Sequence, residues 1–190
     1  MGVRCVDQEP RTVLETERLI LRPWQNADRA PFAAIVGDPH VMRFYTGTRD
    51  RAAADAWIDK MIAGLDAGTS AFLAAERKAD GELIGLIGTA RIDMDLRGNP
   101  PEEIGWVLGN RYWGQGYAPE GARAHILSAW QRDLPELVAF TAAINQPSQR
   151  VMEKIGMTRD TEGDFLHPRI AENHPLRPHV LYRIANPARS

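Results

Sequence analysis

The chain has 190 residues, enough for one substantial domain and short of two. With 44% hydrophobic and 25% charged residues it has the balance of an ordinary globular protein, and a formal net charge of −2 gives no basic field for nucleic acid. One cysteine, Cys5, excludes an internal disulfide and a cysteine-ligated zinc site, while MGVRCVDQEP lacks a secretory core and no run approaches the ~20 apolar residues of a membrane span, so the expected setting is the cytoplasm.

Residues 1–11 read as a flexible polar lead-in, and 12–190 as a single domain. TERLILRPW (16–24) is a strand candidate, with Leu19 and Leu21 on one face and Arg18, Ile20 and Arg22 on the other. Asn26 or Asp28 can cap a helix through Ile35 that ends near Gly37-Asp38-Pro39. An alanine-rich helix runs from Asp50 to Leu65, with Ala54, Trp57, Ile58, Met61, Ile62 and Leu65 at helical spacing and Gly68 as its stop signal.

The period then changes. Residues 71–77 and 82–93 are apolar runs joined by Ala79-Asp80-Gly81, a hairpin turn. A third strand, EEIGWVLG (102–109), is followed by a helix from about Pro119 to Gln131. ELVAFTAAI (136–144) reads as a buried strand of parallel type, and a short helix spans about Pro147 to Ile155. A strand near 157–163, a Pro/His-rich loop and HVLYRIA (179–185) complete the chain. The expected fold is α/β, a mixed central sheet of about six to seven strands flanked by about four helices.

Between the third strand and its helix lies RYWGQGYAPEG (111–121). Gly114 and Gly116 can supply positive φ, and the amides opening the helix point outward with the positive end of its dipole, which makes an anion site without a lysine. Taken alone, the turn also fits a tight connection with nothing bound. Without Lys-Ser/Thr after the glycines, a phosphoryl-transferring nucleotide enzyme is disfavoured.

Three segments in order, TERLILRPW, EIGWVLGNRYWGQGYAPEG and Asn145-x-x-Ser148…Glu153-Lys154-x-Gly156-Met157, resemble the GNAT superfamily of N-acetyltransferases. The likeness is greatest to the Rim-type branch, which acetylates N-termini of ribosomal proteins. The resemblance implies an acetyl-CoA-dependent N-acetyltransferase in which a primary amine, of a protein N-terminus or a small molecule, attacks the thioester directly. The alternative is a non-catalytic acyl-CoA-binding or regulatory module on the same fold.

In that frame Arg111, Gly114, Gln115, Gly116 and the amides of Tyr117 and Ala118 cradle the CoA pyrophosphate. Trp106, Val107 and Leu108 bond the pantetheine arm, which adds to a strand edge as an extra strand would. Glu103 is the expected base, two residues before Gly105, with amides near Val107 as oxyanion donors. Glu102 beside it keeps open the reading of a solvated strand-end carboxylate.

Asn145 is implied to bind the CoA arm and Ser148 to lie near the sulfur, where either residue also suits a plain N-cap. Met152 stands where many relatives have a tyrosine as general acid, so Ser148 takes that role or the thiolate leaves unaided. No metal is expected, and His40, His167, His174 and His179 fit an acceptor loop better than a ligand set. His125 reads as a surface or partly buried helix residue, and Trp106, Tyr112, Trp113 and Tyr117 as packing beneath the cofactor. Segments 38–50 and 164–178 are implied to border the acceptor. Rim-type relatives are often dimers, which leaves a homodimer open; no nucleic-acid or membrane partner is expected.

Overall fold

The computed structural model describes residues 13–189; the lead-in at 1–11 and Cys5 lie outside the described residues. In chain order the strands are β1 (Leu14–Glu15), β2 (Leu19–Arg22), β3 (Leu73–Arg77), β4 (Glu82–Arg91), β5 (Glu102–Leu108), β6 (Glu136–Ala142), β7 (Thr158–Leu166) and β8 (Pro178–Ala185). The α-helices are α1 (Arg29–Gly37), α2 (Pro39–Met42), α3 (Arg51–Asp66), α4 (Tyr117–Gln131) and α5 (Gln146–Lys154). The sheet thus has eight strands in the order β1-β2-β3-β4-β5-β6-β8-β7, more than the expected six to seven. The surplus comes from the two-residue β1, too short to show a period, and α2 is likewise a four-residue helix hidden in the segment after Pro39.

Alternation along the strands decides which layer each side chain joins. Leu19, Leu21, Leu73, Ala75, Ile87, Ile104 and Leu108 pack beneath α4 and α5. Ala74, Leu86 and Val107 face the opposite way, onto Phe32 and Val36 of α1 and Ala54, Ile58 and Met61 of α3. Helix α3 begins where the Asp50 carboxylate accepts the Ala53 N–H at 2.8 Å as its N-cap. The β3–β4 hairpin turns through Gly81 at φ +70°.

Neighbouring strands are antiparallel except β5 and β6, which run parallel. That pair has a single register match, Glu103 with Val138, whereas β6 pairs with β8 from Glu136 to Ala142. Beyond Glu103 the two strands therefore diverge and leave the β6-facing edge of β5 without a strand partner. This splaying opens the cleft in which the candidate residues gather.

Glu102 and Glu103 point to opposite faces of β5, as alternation requires. Glu102 lies on the α4 side, where Arg132 donates to both of its carboxylate oxygens at 2.7 and 2.9 Å. Burial pushes the Glu102 carboxyl up, but the Arg132 hydrogen bonds outweigh it and hold the group below the usual range. The strand-end carboxylate with a structural duty is Glu102, and Glu103 is left free for another.

His125 is fully buried, deeper than the surface or partly buried position expected of it. Burial drives its pKa down to about 4, so the ring is neutral, and its Nε2 has no hydrogen-bond partner among the described residues. It packs in the core under β4 and takes no part in the cleft. No helix is long and apolar enough to cross a membrane among the described residues.

Candidate active site

The cleft has a volume of about 1220 Å³ and runs from the glycine turn to the first residues of β5. A cleft this large suits a long ligand together with a smaller one. Gly114, Gly116, Tyr117 and Ala118 line one end, Trp106, Val107 and Leu108 the middle, and Glu103 the far end. Asn145, Ser148 and Met152 contribute the α5 wall. The side chains expected at the turn are not all in the lining, for Arg111 and Gln115 lie outside it.

At the turn, Gly114 and Gly116 adopt φ of +73° and +84°, conformations that a Cβ would strain. Gly116 is the N-cap of α4, and among the described residues the N–H groups of 114–118 have no backbone partner. They converge on the positive end of the helix dipole, which suits a phosphate. Arg111 is drawn away from that point, with its guanidinium 3.0 Å from the Glu82 carboxylate, to which the Tyr112 hydroxyl also donates at 2.8 Å.

A brace that sequence reasoning missed holds the turn from below. The Glu120 carboxylate, in the first turn of α4, accepts from the Thr16 hydroxyl at 2.5 Å, the Arg18 N–H at 2.8 Å and Arg18 Nε at 2.7 Å. Arg18 Nη1 donates to the Gln115 carbonyl at 2.9 Å, and its guanidinium lies 4.5 Å over the Tyr117 ring. Burial raises the Glu120 pKa, but these bonds outweigh it and the net shift is downward. Its stabilising effect is therefore present above the ordinary carboxylate range and lost as pH falls through the depressed pKa. Thr16 and Arg18 stood in the TERLILR segment, but nothing local tied them to a residue a hundred positions later.

Along the middle of the cleft the open edge of β5 offers backbone groups. One is taken, since the Leu108 carbonyl accepts from Trp113 Nε1 at 2.8 Å. On α5, Asn145 is the N-cap, with Oδ1 accepting the Ser148 N–H at 3.3 Å and Nδ2 donating to Thr141 Oγ1 at 2.8 Å. The capping role is thus present, and it fixes an amide that also faces the cleft. The Ser148 hydroxyl has no hydrogen-bond partner among the described residues, and Met152 is buried beside it.

At the far end Glu103 is half-buried, with no hydrogen bond or ion pair among the described residues. Burial raises its pKa to about 7, assisted by the nearby Asp93 charge and opposed by Arg169 and Lys60. A carboxylate in this state is poised to take a proton near neutral pH. Asp93 is itself paired with Arg169 at 2.8 Å. Tyr45, which sequence reasoning passed over, lines the same cleft and feels the Glu103 charge. Burial together with the Glu103 charge pushes its hydroxyl pKa up to about 12. The hydroxyl therefore keeps its proton at neutral pH and is available as a hydrogen-bond donor.

His167 and His179 line the same end with their rings 4.8 Å apart, beside Phe140 and Phe165. Burial lowers both imidazole pKa values, so both rings are neutral at pH 7. His174 lines a smaller cavity of about 390 Å³ that shares Tyr45 and Thr46 with the main cleft, whereas His40 is exposed on α2. Among the described residues no group of three or more His, Cys, Asp or Glu is arranged to hold a metal.

Comparison with known proteins agrees with this architecture. The Acetyltransferase (GNAT) domain matches residues 18–158. The uncharacterized protein YkkB of Bacillus subtilis (strain 168) is 32% identical over 149 residues, which cover 77% of this chain and 86% of that protein. An acetyltransferase (GNAT family) from Bacillus anthracis superposes with a TM-score of 0.77 at 26% identity, over 92% of this chain and 99% of that one. Mycobacterium smegmatis RimJ, solved in complex with CoA-disulfide, shares the fold with a TM-score of 0.68 at 22% identity, over 88% of this chain and 81% of its own.

Proposed function

Because the chain belongs to the GNAT acetyltransferase family, we propose that it moves the acetyl group of acetyl-CoA onto a primary amine, with Glu103 as the general base and 12–190 as the catalytic domain. The family uses acetyl-CoA, and the residues present fit that molecule. Free amides at a helix N-terminus meet its pyrophosphate, and an unpaired strand edge meets its amide-bearing arm. When bound, acetyl-CoA supplies an activated thioester whose carbonyl carbon accepts a neutral amine, with CoA thiol as the leaving group.

The chain's own residues divide the work. The N–H groups of Gly114, Gln115, Gly116, Tyr117 and Ala118 hold the phosphates, with Arg111 and Glu82 bracing the base of the turn. Trp106, Val107, Leu108 and Asn145 orient the arm. Glu103 removes a proton from the acceptor ammonium, directly or through one water. Backbone amides near Val107 stabilise the charge that develops on the thioester oxygen. Ser148, whose hydroxyl is otherwise unengaged, supplies a proton toward the sulfur in place of the tyrosine that Met152 displaces.

The observation that carries this reading is the distribution of functions along β5. A phosphate-sized nest lies just beyond its C-terminal end, an open edge along it, and a lone carboxyl poised near pH 7 at its start. A transferred γ-phosphate needs a cationic clamp, whereas a pyrophosphate that is only held does not, and the one arginine of the turn is bound to Glu82. Calorimetry should find acetyl-CoA binding in the micromolar range with ATP at least tenfold weaker, and acetyl-CoA should raise the melting temperature more than ATP does. Equal or tighter ATP binding would sink the acetyl-CoA assignment.

A further inference from the structure

The charges around Glu103 select among amines. Apart from those of α5, five charged side chains line this end of the cleft on the Glu103 side, namely Arg49, Lys60 and Arg169 against Asp93 and Glu103, while Arg91 stands opposite Glu102 and points to the other face of the sheet. Arg169 and Asp93 neutralise each other at 2.8 Å. Arg49 and Lys60 have no carboxylate within ion-pair distance among the described residues, so they leave an excess of positive charge on the Glu103 side of the cleft.

One of these cations is held in place. The Arg49 backbone N–H donates to the Val36 carbonyl at 2.9 Å, and its guanidinium lies 4.9 Å over the Trp57 ring. Trp57 in turn meets Phe32 and Tyr45 edge to face, with centroids 5.5 and 6.4 Å apart. Lys60 is three residues beyond Trp57 and so shares its face of α3, one turn along. A planar guanidinium stacked on an indole with its N–H edge free is a receptor for a carboxylate. An ammonium one helical turn away adds a second donor.

We propose that Arg49 and Lys60 form a carboxylate subsite, and that the acceptor is an amine bearing a carboxylate, such as an amino acid or a chain beginning with an acidic residue. This rests on the acetyltransferase reading above. Polyamines and amino-sugar antibiotics, which are polycations, are disfavoured because they would bring further positive charge against two unpaired cations.

The test compares free amino acids, peptide amides beginning with Asp or Glu, the corresponding amino-acid amides, and spermidine as acceptors, read by CoA release. The carboxylate-bearing amines should exceed the amides and spermidine by tenfold or more in kcat/KM. A preference within the carboxylate group identifies the source, a free amino acid or an acidic N-terminus. In Arg49→Gln and Lys60→Gln the KM for the best carboxylate amine should rise about ten- to hundredfold, with KM for acetyl-CoA unchanged.

Equal or better turnover of spermidine or the amides overturns the proposal, as does an unchanged KM in both variants. A binding arm separates this failure from failure of the acetyltransferase reading. The same carboxylate amine titrated into the CoA-saturated protein should bind by calorimetry, with affinity lost in the two variants, whether or not turnover occurs.

Discussion

Replacing Glu103 by Gln is expected to lower kcat by about 10²- to 10⁴-fold, the range for loss of a positioned general base, with the Kd for acetyl-CoA unchanged. The carboxyl lies at the opposite end of β5 from the glycine turn, so its loss removes proton transfer and leaves the cofactor nest intact. In the unmodified protein kcat/KM should rise with pH through about 7, where Glu103 loses its proton, and this limb should vanish in the variant. If kcat stays within a few-fold of normal, or if the limb persists, Glu103 is not the base.

The same substitution has an opposite effect on stability. The folded-state pKa of Glu103 is raised from 4.5 to about 7, so protonation favours the native state. The contribution is fully present below the unfolded pKa and is lost as pH rises through about 7. Above that, the ionised carboxyl destabilises the fold by about 3 kcal/mol at most, from ~1.4 kcal/mol per pKa unit. Glu103→Gln should therefore be more stable than the parent by about 1–3 kcal/mol at pH 8 and nearly equal to it at pH 4. A gain in melting temperature at pH 8 together with a loss of turnover marks a group kept for chemistry at the expense of the fold.

The second large effect is expected at Gly116. An alanine there must hold φ near +84°, which costs about 1–2 kcal/mol, and relaxation of that strain turns the N–H groups of the nest away from their common target. Gly116→Ala should weaken acetyl-CoA binding about ten- to hundredfold while kcat at saturation changes little. Gly81 is the control, since its φ is +70°, its Cβ would enter open space, and it lies in the β3–β4 turn outside the cleft. Gly81→Ala should lose similar stability and keep its affinity. Equal affinity in the two variants would remove the turn from cofactor binding.

Much of this arrangement was legible in the chain because it is locally encoded. Helix α3 announces itself by the spacing of Ala54, Ile58 and Met61 and by the Gly68 stop. The glycine turn is visible because glycine takes the left-handed conformation without a Cβ penalty. Strand alternation alone put Glu103 on the face shared with Val107, and the family resemblance gave that face a purpose. Its partner on the other face, Glu102, could not be told from it until the β5–α4 packing brought Arg132 alongside.

What escaped the sequence depends on contacts between distant segments. Tyr45 and Arg49 sit in an irregular stretch with no period, and their relation to Glu103 exists only once α3 has folded back over the sheet. Arg18 braces the turn through Glu120, a hundred residues away. Arg111 looked like a phosphate ligand next to the glycines, but the hairpin delivers Glu82 to it. Each of these is a tertiary effect that overrides a local preference.

The most direct measurement is CoA thiol release from acetyl-CoA by the purified chain with primary amines, followed by mass analysis of the amine. Release that depends on both protein and amine, with one acetyl group gained on nitrogen, is the predicted result. Tight acetyl-CoA binding with no amine-dependent release from any acceptor would contradict the account and leave a non-catalytic acyl-CoA-binding module.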